Sequence, residues 1–283
     1  MNFFLDILRG IVIGVANIIP GVSGGTMMVS MGIYDKIIGC INHLFSRFKD
    51  SIRTLLPYGI GMAVGILGLA KLITVCLERF PLPTGFLFIG LILGSVPIIL
   101  KRIKGDKGNS ICIPAFICGF VLVVGLQIIG SGNGTDAAMN MNPLLVIILF
   151  LMGMIASATM VIPGVSGSMM LMLLGYYNPI VGTISRMVDA LIARDFGTVF
   201  SCVGILLPFG IGVVVGIFAI AKLIEILLKR YPSQTFSVIL GLVLASPVAI
   251  LMETGFATAN VVTILCSVVT CAVGFVVALK LGD

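Results

Sequence analysis

Ala16-Asn17-Ile18-Ile19-Pro20-Gly21-Val22-Ser23-Gly24-Gly25-Thr26 and, about half a chain later, Ile162-Pro163-Gly164-Val165-Ser166-Gly167-Ser168 set the same helix breaker into two apolar stretches. Proline lacks a backbone N–H and glycine tolerates most backbone conformations, so Pro-Gly ends an entering helix. The serine that follows is a good N-cap for a new one. Broken helices at equivalent places in two halves of an apolar chain point to a transporter's binding site.

The surrounding composition fits a membrane. Apolar residues make up 59% of the 283 positions and charged residues only 10%, where a soluble domain carries roughly a quarter. Several apolar runs reach the length that spans a bilayer as a helix. The N-terminal stretch lacks a basic n-region and a small-residue cleavage site, so it does not read as a signal peptide. The net charge of +6 sits in short loops without interleaved aromatics, which argues for membrane topology and against nucleic-acid binding. The seven cysteines form no C-x-x-C pair and His43 is the only histidine. No metal or cofactor is therefore expected.

The repeat extends past the breaks. Ile19 to Gly39 aligns without a gap on Ile162 to Gly182, including Gly32-Ile33-Tyr34 on Gly175-Tyr176-Tyr177. Leu55 to Gly61 matches Leu206 to Gly212, Ala70 to Ile73 matches Ala221 to Ile224, and Arg79, Pro81 and Thr84 match Arg230, Pro232 and Thr235. Residues 1–130 thus form one copy: a broken segment 3–39 and spans 55–77, 84–100 and 111–129. Residues 131–142 are a polar linker. Residues 143–283 form the second copy, with a broken segment 144–182 and spans 206–228, 235–252 and 259–281. Amphipathic stretches His43–Arg53 and Ile184–Phe200 are expected to lie in the interface as helices.

If each broken segment is a re-entrant hairpin, each copy crosses three times and the copies are inverted. With both termini cytoplasmic, most Lys and Arg fall inside, leaving Arg79, Arg186 and Arg194 outside, as the positive-inside rule asks. The fold class expected is an all-α polytopic membrane protein of two inverted-topology repeats, each a re-entrant helical hairpin plus three transmembrane helices.

A helix start within the membrane has unpaired N–H groups and about half a positive charge, and lipid offers them no partner. An anion fits, phosphate above all. Pro20, Gly21, Ser23, Gly24 and Gly25 would form one cradle and Pro163, Gly164, Ser166 and Gly167 the other, with hydrogen bonds from Asn17, Thr26 and Ser168. A Pro-Gly that merely kinks a helix for packing is the simpler alternative. Its recurrence with Ser and Gly in register argues for the anion.

Lys71 and Lys222 are matched charges inside apolar spans, where a charge is costly and marks function, unless it snorkels to headgroups. Arg79 and Arg230 extend the cationic path to the rims. Glu78 and Glu225 are weaker candidates for carrying a coupling proton.

Gly21-Val22-Ser23-Gly24-Gly25 also satisfies G-x-S-x-G, but that elbow needs a strand before the serine and a histidine partner, and His43 lies in a charged loop. No Walker A sequence is present. The alternatives to a lipid carrier are a small-anion channel or transporter, an intramembrane serine hydrolase and a structural membrane module.

The eleven residues from Ala16 to Thr26, their partner Ile162 to Ser168 and the G-x-Y after each resemble the bacterial undecaprenyl-phosphate translocases of the PopT type. The resemblance covers essentially the whole chain. It implies a non-enzymatic inner-membrane flippase that returns polyprenyl phosphate from the outer to the cytoplasmic leaflet for cell-wall and surface-glycan synthesis; a proton or a sodium ion is a candidate coupling ion, and the sequence does not choose between them. It carries the site onto Asn17, Pro20, Gly21, Ser23, Gly24, Gly25, Thr26, Pro163, Gly164, Ser166, Gly167 and Ser168. The second copy departs from the first at Met160 and Met169, where Asn17 and Thr26 stand.

Overall fold

A computed structural model describes residues 3–17, 23–104, 110–130, 142–254 and 260–282, and every regular element among them is helical. The first copy contributes α1 (Phe3–Ala16), α2 (Gly24–Ser30), α3 (Tyr34–Asn42), α4 (Phe48–Arg79), α5 (Pro81–Lys104) and α6 (Ile113–Gly130). The second contributes α7 (Pro143–Val161), α8 (Gly167–Leu173), α9 (Tyr177–Ala193), α10 (Phe196–Arg230), α11 (Pro232–Thr254) and α12 (Val261–Gly282). Proline opens α5, α7 and α11, at the one helical position where its missing N–H has no cost.

Among the described residues, six helices are long and apolar enough to cross a membrane: α4, α5, α7, α10, α11 and α12. The chain is a multi-pass membrane protein. α6 falls just short of that length. α7, expected as the entering leg of the second hairpin, has 19 residues, or about 28 Å at 1.5 Å per residue. Its counterpart α1 has only 14.

The expected interfacial helix His43–Arg53 does not form as a unit. α3 closes at Asn42, a turn follows, and α4 runs without interruption from Phe48 to Arg79. In the second copy α9 ends at Ala193, its C-cap Arg194 takes a left-handed conformation (φ 57°), and α10 starts at Phe196. The amphipathic pattern is real, but once the backbone ladder is running, continuing it into the span satisfies more groups than stopping would.

The packing repeats in register. A Cβ on Gly10 would meet the Tyr58 carbonyl, and one on Gly153 the Phe209 carbonyl. Gly61 faces the Ile7 carbonyl and Gly212 that of Phe150. α1 therefore packs on α4 as α7 packs on α10, backbone to backbone through small residues. The last helices are exchanged between copies. α12 lies on α5, with Gly90 against the Cys271 carbonyl and Gly274 against that of Leu87. α6 lies on α11 in the same register, with Gly241 against the Phe116 carbonyl and Gly119 against that of Val238.

Two compact units result. One comprises residues 1–127, 162–165 and 221–283, the other 128–161 and 166–220. The first holds a core of Val123, Val165, Leu242, Ala245 and Ala249. The second is built around Leu145, Leu149 and Ile205 and around Ala156, Leu171 and Ile180.

Candidate functional site

Each break is followed by a short helix that ends in the same way. Gly32 (φ 65°) and Gly175 (φ 75°) take the left-handed conformation. Ile33 N–H reaches the Met28 carbonyl at 3.0 Å and Tyr176 N–H reaches that of Leu171 at 2.9 Å. These are Schellman closures, which explain the glycine of each G-x-Y.

The first helix start is closed by its own side chains. Ser23, 4% exposed, is extended (φ −109°, ψ 138°) and its Oγ accepts from the Gly25 N–H at 3.2 Å. Asn17 Oδ1 accepts from the Gly24 N–H at 3.2 Å. The Ser23 hydroxyl donates to the Ile162 carbonyl at 3.4 Å. Thr26, fully buried, accepts from the Gly164 N–H at 2.7 Å. The second break's Pro-Gly turn is thus bonded directly onto α2. Gly164 itself has φ +81°, and a Cβ there would lie 2.6 Å from the Leu242 carbonyl. Pro20 and Gly21 lie outside the described residues.

The second helix start differs. Ser166 has the same extended backbone (φ −95°, ψ 127°) but its side chain caps nothing. Its hydroxyl pairs instead with the Ser168 hydroxyl at 2.8 Å. Gly167 is buried, Ser168 is exposed, and Met160 packs over Gly167 where Asn17 packs over Gly24. Pro163, buried, precedes the Gly164 turn.

Among the described side chains, the predicted cations Lys222 and Arg230 find their partners away from the breaks. Lys222, 62% exposed at its side chain, pairs with Glu225 at 3.5 Å. Glu225 also takes Lys229 and lies 3.7 Å from His43. Arg79 and Glu78 are exposed at the end of α4, and Arg230 is exposed over the Tyr231 ring at the end of α10. The Lys71 side chain lies outside what is described. Ser23 and His43 form no pair among the described residues, and no group of three potential metal ligands occurs there.

A buried polar cluster escaped the sequence reading. Asp6, 2% exposed, accepts from the Tyr58 hydroxyl at 2.6 Å, and Arg9 and Lys36 lie 3.4 and 3.7 Å from its two oxygens. The contact between Asp6 on α1 and Lys36 on α3 brings the chain back beside its starting point across the break. Arg9 donates to the Leu281 carbonyl at 2.6 and 3.1 Å, which sets the first turns of α1 beside the end of α12. The available signal was a carboxylate in an apolar stretch, the hallmark of a functional group within a membrane.

Residues 13–263 match the model of the VCA0040-like family, described as undecaprenyl phosphate translocase-like. A Staphylococcus aureus protein named polyprenyl-phosphate transporter is 34% identical over 99% of this chain and 96% of its own length. A Vibrio cholerae protein of the same name is 29% identical over 87% of this chain and 77% of its own. No solved structure matches. On the match across residues 13–263 and the identity that spans nearly the whole of both chains, this chain belongs to the undecaprenyl phosphate translocase-like family.

Proposed function

We propose that the protein is a polyprenyl-phosphate flippase that returns the lipid carrier from the outer to the cytoplasmic leaflet of the bacterial inner membrane. The observation that carries this reading is the doubled break in a chain whose relatives are named polyprenyl-phosphate transporters. The phosphate is recognised at the helix starts after the breaks. The α8 start is the better placed of the two, because its serines do not cap it and Ser168 is exposed. The isoprenoid tail stays in lipid. An apolar groove of about 1060 Å³ beside α5, α6 and α11, with Lys104 at its edge, offers it a surface.

The two copies are inverted and their broken segments re-entrant, with both termini in the cytoplasm. The lysine-rich end of α5 and the α1–α12 junction support that orientation through the positive-inside rule. Lys71, Lys222, Arg79 and Arg230 steer the anionic headgroup at the rims.

The test is the exposure of polyprenyl phosphate on the outer leaflet of cells with and without the gene. Loss of the gene raises exposure, and Ser166→Ala with Ser168→Ala behaves as the deletion while the protein still inserts. Unchanged exposure in the deletion contradicts the reading.

A further inference from the structure

The Asp6 cluster has an apolar twin. In the shared register of α1–α4 and α7–α10, Asp6, Arg9 and Tyr58 correspond to Leu149, Met152 and Phe209, and Lys36 corresponds to Pro179. Leu149 is fully buried and packs with Leu145, Ile205 and Phe209, and Met152 packs with Ala156, Leu171 and Phe209. The same helix pairing therefore holds with no charge at all. Buried ion clusters are seldom better for stability than an apolar substitute, and here the substitute exists in the same molecule. The charges in the first copy serve something other than packing.

Their arrangement is unbalanced. Two cations face one carboxylate. Arg9 is anchored on the Leu281 carbonyl and turns only Nη1 to Asp6. Asp6 Oδ2 is buried with no hydrogen-bond partner, and the Lys36 ammonium stands 3.7 Å away. Lys36 is 39% exposed at its side chain, so the cluster opens at that end. The other groups facing Asp6 are few. α4 offers Tyr58, α2 has no titratable residue, Asp35 on α3 pairs with Arg102 of α5, and Lys280 of α12 is exposed.

We propose that Asp6, Arg9, Lys36 and Tyr58 form a proton-linked anion station. A phosphate monoester takes the place of the Asp6 carboxylate beside Lys36 and Arg9, and Asp6 takes up a proton from water on Oδ2. The two cations match a phosphate's charge of nearly two only when Asp6 is neutral. Release reverses both events, so that headgroup and proton move together. This inference rests on the polyprenyl-phosphate reading above and adds the coupling ion to it.

The test uses the purified full chain in nanodiscs with a short-chain prenyl phosphate as probe, following binding and dye-reported proton uptake from mildly acidic to alkaline pH. Wild type binds more tightly as pH falls and takes up a proton on binding. Asp6→Asn, nearly isosteric, keeps the tight form at every pH and loses that uptake. The phosphate's own titration is common to both proteins and cancels. Asp6→Asn with wild-type proton uptake overturns the proposal and leaves the flippase reading standing, whereas a wild type that does not bind the probe overturns both. The variant Asp6→Leu/Arg9→Met/Lys36→Met/Tyr58→Phe, which copies the apolar twin at residues 6, 9 and 58 and replaces Lys36 by an uncharged side chain, inserts with an unchanged melting temperature and loses transport. Retained transport in that variant also overturns the proposal.

Discussion

At the first break, Asn17 and Ser23 accept the Gly24 and Gly25 N–H groups, and Thr26 holds the Gly164 N–H. At the second, Met160 occupies the place of Asn17, Met169 that of Thr26, and Ser166 caps nothing. Two substitutions in a shared motif accompany the change from a side-chain-capped helix start to an uncapped one. The polarity is reversed a few turns away, where the first copy carries the buried Asp6 cluster and the second an apolar core. On the proposed reading, one copy of the repeated scaffold binds the headgroup at its break while the other carries the buried charges.

The comparison is broken most severely at the shared packing. Gly61→Leu and Gly212→Leu each force a side chain onto a carbonyl about 2 Å away, and each is expected to cost more than ~4 kcal/mol. Size-exclusion profiles in detergent should show both lost. Survival of only one would mean that the two helix pairs are not equivalent. Next, Thr26→Val orphans the buried Gly164 N–H, at a cost of about 1–3 kcal/mol, read as a lower melting temperature.

The caps sharpen the contrast. Asn17→Ala removes a cap worth about 1 kcal/mol, whereas Ser166→Ala is expected to leave stability nearly unchanged. Met160→Asn should close the second start, raising the melting temperature slightly while slowing transport. Equal stability losses in Asn17→Ala and Ser166→Ala would refute the distinction.

The smallest effect lies at the helices that follow. Asp195 accepts from the Thr198 N–H and hydroxyl ahead of α10, which holds its carboxyl below the usual range, whereas Arg47 gives α4 no such cap. A depressed carboxyl contributes stability above its unfolded pKa and loses it as pH falls through the folded one. Hydrogen exchange should show the first turn of α10 fraying on acidification, with α4 unaffected.

The break motif, the repeat and the apolar helices were legible because Pro-Gly, Ser and the matched glycines act through the backbone, where spacing alone carries the meaning. Gly32 and Gly175 are the clearest case, since a left-handed closure is written in a single residue. The exchange of α6 and α12 was not legible, because the glycines that permit it say only that some backbone approaches closely. The difference between the two helix starts was half visible in Met160 and Met169. Its consequence needed the geometry, because the sequence offers Asn17 and Thr26 as ligands and does not show that their oxygens accept the chain's own Gly24 and Gly164 N–H groups. Asp6 was not legible because its counterpart is Leu149, so the repeat does not mark it.

The most direct measurement is leaflet exchange of a labelled polyprenyl phosphate in liposomes holding the purified protein, comparing wild type with Ser166→Ala/Ser168→Ala. The account predicts fast exchange in wild type and a loss of about tenfold in the variant, equivalent to ~1.4 kcal/mol of headgroup recognition, with the melting temperature unchanged. Exchange no faster than in protein-free liposomes, or equal in the two proteins, would contradict it.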